Sequence, residues 1–308
     1  MNWPGGKAFA FSVFDDTDNA TVENTKPVYD LLSELGLRTT KSVWVYPPRG
    51  DYSGQSLADP DYLAWIRTLQ DQAFEIGLHN VGDGAFTRAE ILRGLELYRE
   101  HLGHYPRIHT NHVSNPDNIY WLEDRFEWPY RQLYRLYLAL FQGGPSRSLG
   151  SDPGSLHFWG DACKRHIEYL RNFTCSDIDT LGFDPDMPYR ETRKDAFSNK
   201  WFSSSNGHTV EEFCDLLRPE SLDRLQRRRG ACIVYTHFAS GFVDARGRVK
   251  PLVRERLEHL ATLPGYFVPV SQVLDHLASQ EPPRGHRRPP STFRWLVDRV
   301  RHKIRYRR

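Results

Sequence analysis

Cysteine is scarce in this chain. Cys163, Cys175, Cys214 and Cys232 are the only four in 308 residues, with no Cys-x-x-Cys pair among them. That excludes a disulfide framework and predicts reduced, mostly buried thiols in an intracellular protein. No apolar run approaches the roughly 20 residues that a membrane-spanning helix needs. The opening Met1-Asn2-Trp3-Pro4-Gly5-Gly6-Lys7 lacks a charged start, an apolar middle and a small-residue cleavage site. A cytoplasmic location is therefore expected. Net charge is also small, +2 in all, but it is uneven. From Pro282 onward ten Arg or Lys face the single Asp298, which gives that segment +9 and leaves −7 for the rest. An acidic body carries a basic tail.

What is present suits a globular protein: 39% hydrophobic and 26% charged residues. Aromatics reach 13%, which fits a bulky core or sugar-stacking surfaces. Ala8–Phe14, Thr39–Tyr46, Phe74–Leu78 and Arg107–His112 read as strands. Helical spacing occupies Val22–Leu35, the stretch around Tyr62–Leu69, and Thr87–Leu102. The rhythm loosens over Asn115–Phe173, read as an insertion over the mouth. A helix over Asp161–Arg171 leads to a strand at Phe173–Ser176, and the rhythm returns with strands at Ala231–His237 and Tyr266–Val270 and helices at Pro251–Leu263 and Ser271–Ala278. Alternating strands and helices predict an α/β fold, a distorted barrel of about seven parallel strands in a single domain over 1–280. A Pro/Arg linker is expected over 281–290 and a basic amphipathic helix over 291–308.

Three motifs carry chemistry, and all sit where strands end, the edge at which parallel α/β folds assemble their sites. Phe11-Ser12-Val13-Phe14-Asp15-Asp16 brings two carboxylates to the end of a buried strand. A cation would offset their desolvation, although Asp pairs also cap helices. Phe74-Glu75-Ile76-Gly77-Leu78-His79-Asn80-Val81-Gly82-Asp83 offers a His and an Asp at ligand spacing, or simply a turn. Ala231-Cys232-Ile233-Val234-Tyr235-Thr236-His237 delivers a His suited to general acid work, or an ordinary buried His.

In order and spacing these motifs resemble the polysaccharide deacetylase (NodB-homology, carbohydrate esterase family four) superfamily. The resemblance is clear over Ala8–His112 and around His237, and thin between them. It implies a (β/α)7 barrel and a metal-dependent hydrolase that removes an acetyl group from an N-acetylated sugar or glycan. On this resemblance Asp15 corresponds to the catalytic base and His237 to the general acid. Asp16, His79 and Asp83 would hold a divalent ion, most simply Zn²⁺. Asp83 stands where the family has a second His. The family's Arg-Pro-Pro-Tyr-type segment is replaced by Arg107-Ile108-His109-Thr110-Asn111-His112, whose Arg107, His109, Asn111 and His112 are expected to contact substrate or, for the histidines, to replace a ligand. Asp179, in Asp177-Ile178-Asp179, and Trp201 are further substrate candidates. Two rival readings stay open: a same-fold hydrolase of a small amide, and a sugar-binding scaffold without a metal.

In the tail, Phe293, Leu296, Val297, Val300 and Ile304 form one helical stripe flanked by Arg and Lys. This suits an anionic membrane surface, and with it a lipid-linked glycan substrate on the cytoplasmic side. Docking of the stripe on the barrel is the alternative. Nucleic acid is not expected, since no recognition motif accompanies the charge.

Overall fold

Phe9–Asp15 is buried at every position, the pattern of a parallel strand covered on both faces. In the computed structural model, which describes residues 1–141, 148–280 and 289–306, this strand is the keystone of a closed barrel. The chain runs β1 (Phe9–Asp15), α1 (Val22–Glu34), β2 (Thr40–Val43), α2 (Pro60–Asp71), β3 (Glu75–Leu78), α3 (Arg88–Leu102) and β4 (Ile108–His109). It continues with α4 (Tyr130–Phe141), α5 (Gly160–His166), β5 (Tyr169–Cys175), α6 (Thr180–Phe183), β6 (Lys200–Asn206), α7 (Val210–Leu216), α8 (Pro219–Arg228) and β7 (Ala231–Thr236). The last elements are α9 (Pro251–Ala261), β8 (Gly265–Phe267), α10 (Val270–Ser279) and α11 (Thr292–Tyr306).

The strands pair in the order β2-β3-β4-β5-β6-β7-β1, all parallel, and β1 closes the ring on β2 through Phe14–Thr40 and Asp15–Lys41. The expected seven-stranded α/β barrel is therefore the fold. β8 adds to the outer half of β1, pairing Phe9–Phe11 with Gly265–Phe267 below the point where β2 takes over. Its presence explains how β1 carries partners along its whole length.

The helices start where capping chemistry directs them. Thr21 and Thr87 each form a capping box, with Asn24 and Glu90. Gly103, at φ 83°, ends α3 in the left-handed conformation that favours glycine.

Three sequence expectations shift. Trp201, expected as a substrate contact, instead belongs to β6 (Lys200–Asn206) and is fully buried. The helix expected through Arg171 stops at His166, so that β5 starts at Tyr169 and Arg171 lies inside the barrel wall. Of the expected linker, residues 281–288 lie outside the described residues, as do residues 307–308 of the expected tail helix.

α11 docks, but not by its apolar stripe. Trp295 Nε1 donates to Thr174 O at 3.1 Å, and the ring joins Phe126, Phe173 and Phe183 in a second apolar cluster. Asp298 accepts from Ser176 N at 2.9 Å, and His302 lies 3.3 Å from Glu212. The predicted stripe faces solvent, with Phe293 62% and Ile304 70% exposed. Polar anchors at the barrel rim chose the opposite face. No helix among the described residues is long and apolar enough to cross a membrane.

Candidate metal centre and active site

Successive side chains on a strand leave from opposite faces, and this separates the two carboxylates that end β1. Asp15 points outward to the helix layer. There it accepts from Phe238 N at 2.8 Å and Tyr29 Oη at 3.2 Å, and pairs with Lys41 Nζ at 3.1 Å. Both members of this pair are fully buried. Burial raises the Asp15 carboxyl above its ordinary value. Burial alone would lower the Lys41 ammonium, but Asp15 outweighs it and lifts that group. Asp15 is sealed from the cavity at the barrel mouth.

Asp16 points the other way, into the barrel. Arg171 grips it with two hydrogen bonds, Nη1 to Oδ1 at 3.0 Å and Nη2 to Oδ2 at 2.7 Å. The guanidinium stacks 4.3 Å from the Tyr235 ring centroid, which fixes its plane. Burial would raise the Asp16 carboxyl, but Arg171, helped by His79 and His237, brings it below the ordinary carboxylate range.

Two residues on, Asp18 becomes the hub. Its Oδ1 lies 3.2 Å from His79 Nε2 and 3.3 Å from His112 Nε2, and its Oδ2 lies 3.1 Å from His237 Nε2. Burial opposes ionisation of Asp18, yet the surrounding imidazoles, His79 first, hold it far below the usual carboxylate range. Ligand-type atoms of Asp18, His79 and His112 all fall within 4.8 Å of one another. Two imidazole nitrogens and a carboxylate oxygen suit a divalent ion such as Zn²⁺.

The rest of the shell fits that use. His79 Nδ1 is held by Thr110 Oγ1 at 2.7 Å and Thr110 O at 3.1 Å, which turns Nε2 to the centre. Asp83 stands behind His112, 3.6 Å from Nδ1, and accepts from Tyr52 N at 2.8 Å. Such outer partners orient metal-binding histidines. Asp18 Oδ1 and His112 Nε2 are buried atoms with no hydrogen-bond partner among the described residues, which fits them to hold a cation.

Of the expected ligand set, His79 is in this group of three. Asp16 approaches it no nearer than 4.0 Å, while turned to Arg171, and Asp83 supports from behind. Among the substrate candidates, Asn111 lines the cavity, its amide holding the Ile119 backbone. His109 is buried beneath the site, 3.3 Å from Asn111 Oδ1, and burial pushes it down to about 3, so it is neutral. Arg107 lies away from the cavity because Glu168 and Asp275 claim it. Asp179 caps α6 through Gly182 N, and Trp201 donates to Ser198 inside the barrel wall. Sequence reading missed Asp18 and Arg171. The signal for Asp18 was available: in Asp-Asp-Thr-Asp it stands two positions beyond Asp16.

These groups open into a cavity of about 900 Å³ at the carboxyl ends of the strands, walled by residues of the loops, of β5 to β7 and of α11. No family model matches the sequence, and no curated protein matches it either. Solved structures do. A protein from Mycobacterium smegmatis assigned to the polysaccharide deacetylases is 14% identical, with 94% of this chain and 97% of that one covered at a TM-score of 0.50. One from Pseudomonas aeruginosa PAO1 with the same assignment is 12% identical, with coverage of 91% and 94% and a TM-score of 0.51. At these identities the likeness is one of architecture, and the chain has the polysaccharide deacetylase fold in a divergent sequence.

Proposed function

We propose that this protein is a metal-dependent deacetylase that hydrolyses the acetyl group of an N-acetylated sugar or glycan. The observation that carries the reading is the convergence of Asp18, His79 and His112 beside an Arg-held carboxylate and a further histidine. Asp18, His79 and His112 would hold the ion, with Zn²⁺ the best match to their donors. A bound divalent ion would supply Lewis-acid polarisation of the acyl oxygen and a more acidic water.

The chain's own groups then divide the proton work. Asp16 takes the base role in place of Asp15, because it faces the cavity and Arg171 keeps it ionised. It accepts a proton from the water that adds to the acyl carbon. His237 presents Nε2 to the same centre and donates a proton to the departing sugar nitrogen as the C–N bond breaks. The products are acetate and the free amine. Trp121 and Tyr52 line the cavity as apolar surfaces for a sugar ring.

The test is metal content and acetate release for the purified protein, with N-acetylglucosamine oligomers as substrate. One divalent ion per chain is expected. It should be lost in Asp18→Asn and His112→Ala and retained in Asp83→Asn. Retention in the first two would overturn the ligand set. A wild-type protein without affinity for Zn²⁺, Co²⁺ or Mn²⁺ would leave the scaffold reading.

A cytoplasmic, membrane-side setting with a lipid-linked substrate is part of the same proposal. Its support is an exposed apolar face on two helices. In α4, Leu133, Leu136 and Leu140 are exposed, as are Phe293, Val300 and Ile304 in α11. Arg131, Arg135, Arg301 and Arg305 flank them. Apolar faces edged by arginine suit an anionic lipid surface.

A further inference from the structure

One cationic group in the cavity wall is not accounted for by the reaction above. Arg125 reaches the cavity from the segment before α4. Its guanidinium lies 4.2 Å from the Trp121 ring centroid, 5.1 Å from Phe173 and 5.6 Å from Trp295. The only acceptors it meets among the described residues belong to Asn172: Oδ1 takes Nε at 3.2 Å and the backbone carbonyl takes Nη2. Asn172 is itself braced by Tyr189, whose hydroxyl accepts its Nδ2 at 2.7 Å. No carboxylate pairs with Arg125 within 4.0 Å among the described residues. Burial above all lowers its guanidinium from the ordinary value to about 9, and the nearby Arg171 and Arg299 add to that lowering.

Arg125 is half-buried, and a guanidinium set among rings without a counter-charge carries a cost that grows with the water it has lost. Ring stacking offsets part of the cost, but Nη1 remains without a partner among the described residues. Across the same wall, α11 contributes Arg299 and Lys303, which also have no carboxylate partner there. The acidic groups of the cavity are already engaged. Asp16 belongs to Arg171, Asp18 to three histidines, and Glu212 to His302 and the α7 cap. What is left over in this wall is positive.

We propose that Arg125, Arg299 and Lys303 form an anion subsite beside the reaction centre, and that the glycan acted on carries an oxyanion, a phosphate or a carboxylate. The inference rests on the deacetylase reading for what sits at the metal, but the subsite itself is a matter of binding. Arginine suits both groups because its planar fork donates two parallel bonds to either. Trp121, on which Arg125 stacks, gives the adjoining sugar ring an apolar face. A structural role for Arg125 would need only the stacking and Asn172. It would not need two more cations turned to the same space.

Calorimetric titration of the Zn²⁺-loaded full chain with N-acetylglucosamine, N-acetylglucosamine 1-phosphate, glucuronate and inorganic phosphate tests this. The phosphate sugar should bind about 10–100-fold more tightly than the neutral one, as expected for charge-assisted bonds, and the advantage should shrink as salt rises. Tighter binding of glucuronate than of phosphate would assign the oxyanion to a carboxylate, and the reverse to a phosphate. Arg125→Met, which keeps the packing volume, should remove most of the advantage, and Arg125→Lys should restore part of it. Should Arg125→Met misfold, Arg299→Gln with Lys303→Gln on the open rim must reduce the same ratio. Equal affinity for neutral and anionic sugars overturns the subsite, even if acetate is released from both. Arg125-dependent anion binding without any acetate release keeps the subsite and removes the deacetylase reading instead.

Discussion

Asp15 and Asp16 differ by one position in the chain and by the face of β1 from which they leave. Their substitutions should therefore fail differently. Asp16→Asn removes the proposed base and should cut turnover about 10²–10⁴-fold with the metal retained. Asp15→Asn leaves Lys41 buried without its carboxylate, and should cost about 3–5 kcal/mol of stability in denaturant titration. If Asp15→Asn melts like wild type and only turnover suffers, the roles are reversed. Asp184 provides a pH test away from the metal. Burial pushes its carboxyl up to about 7 from an ordinary 3.8, while Ser203 donates to it at 2.7 Å. The fold prefers the protonated form, so this contribution is fully present below the ordinary pKa and is lost as pH rises toward and past about 7. Asp184→Asn should therefore gain on wild type between pH 4 and 8, by at most about 4 kcal/mol at 1.36 per unit. A melting difference that stays constant with pH contradicts this. His79 and His237 were legible in the sequence because each ends an apolar strand. His112 was named as a possible replacement ligand, whereas Asp18 was missed, because a loop position past a strand end has no periodicity to place it.

Among elements, α11 shows what a periodic pattern does and does not reveal. Its apolar stripe correctly announced a helix, but the partner of each face was decided by Ser176, Glu212 and Asn206, which lie 122, 90 and 96 positions away from Asp298, His302 and His302 respectively. No local reading reaches those contacts. Removal of residues 291–308 should lower the melting temperature, because Trp295 leaves the cluster with Phe126 and Phe173. By contrast, Phe293→Ser with Ile304→Ser should leave the melt within about 0.5 kcal/mol of wild type, since both side chains face solvent. If the membrane reading is right, this pair weakens co-sedimentation with anionic vesicles. Unchanged sedimentation at low salt removes that reading. The strand β5 was legible only in part, since its first residues follow α5 after a break of two positions and include polar Arg171 and Asn172.

For the whole molecule, the alternation of strands and helices was enough to predict the barrel, and β8 overlaps the strand expected over Tyr266–Val270, while β6 escaped because its polar Ser203–Asn206 half offers no apolar run. The barrel should outlast removal of the proposed metal. Asp18 Oδ2 keeps His237, His79 keeps Thr110 and Asp83 keeps Tyr52 without any ion, so a chelator should lower the melting temperature without unfolding the chain at 25 °C. Restoring Zn²⁺ at 100 times its Kd should return about 2.7 kcal/mol. A melt indifferent to both additions argues against a bound ion. β1 pairs with β7 over six consecutive residues, from Ala10 to Asp15, and with β8 and β2 along its other edge. Inserting or deleting a single codon within it would turn every side chain to the opposite face. An insertion would bring Asp15 to Arg171 but set Phe14 against Lys41, and a deletion would bring Asp16 to Lys41 but set Thr17 against Arg171, so either change strands one buried cation without its carboxylate. Selection for a folded chain would therefore reject such a change as firmly as selection for turnover, because β1 is buried at every position. β1 is thus the segment in which drift by insertion should be rarest among relatives, whether or not they still react.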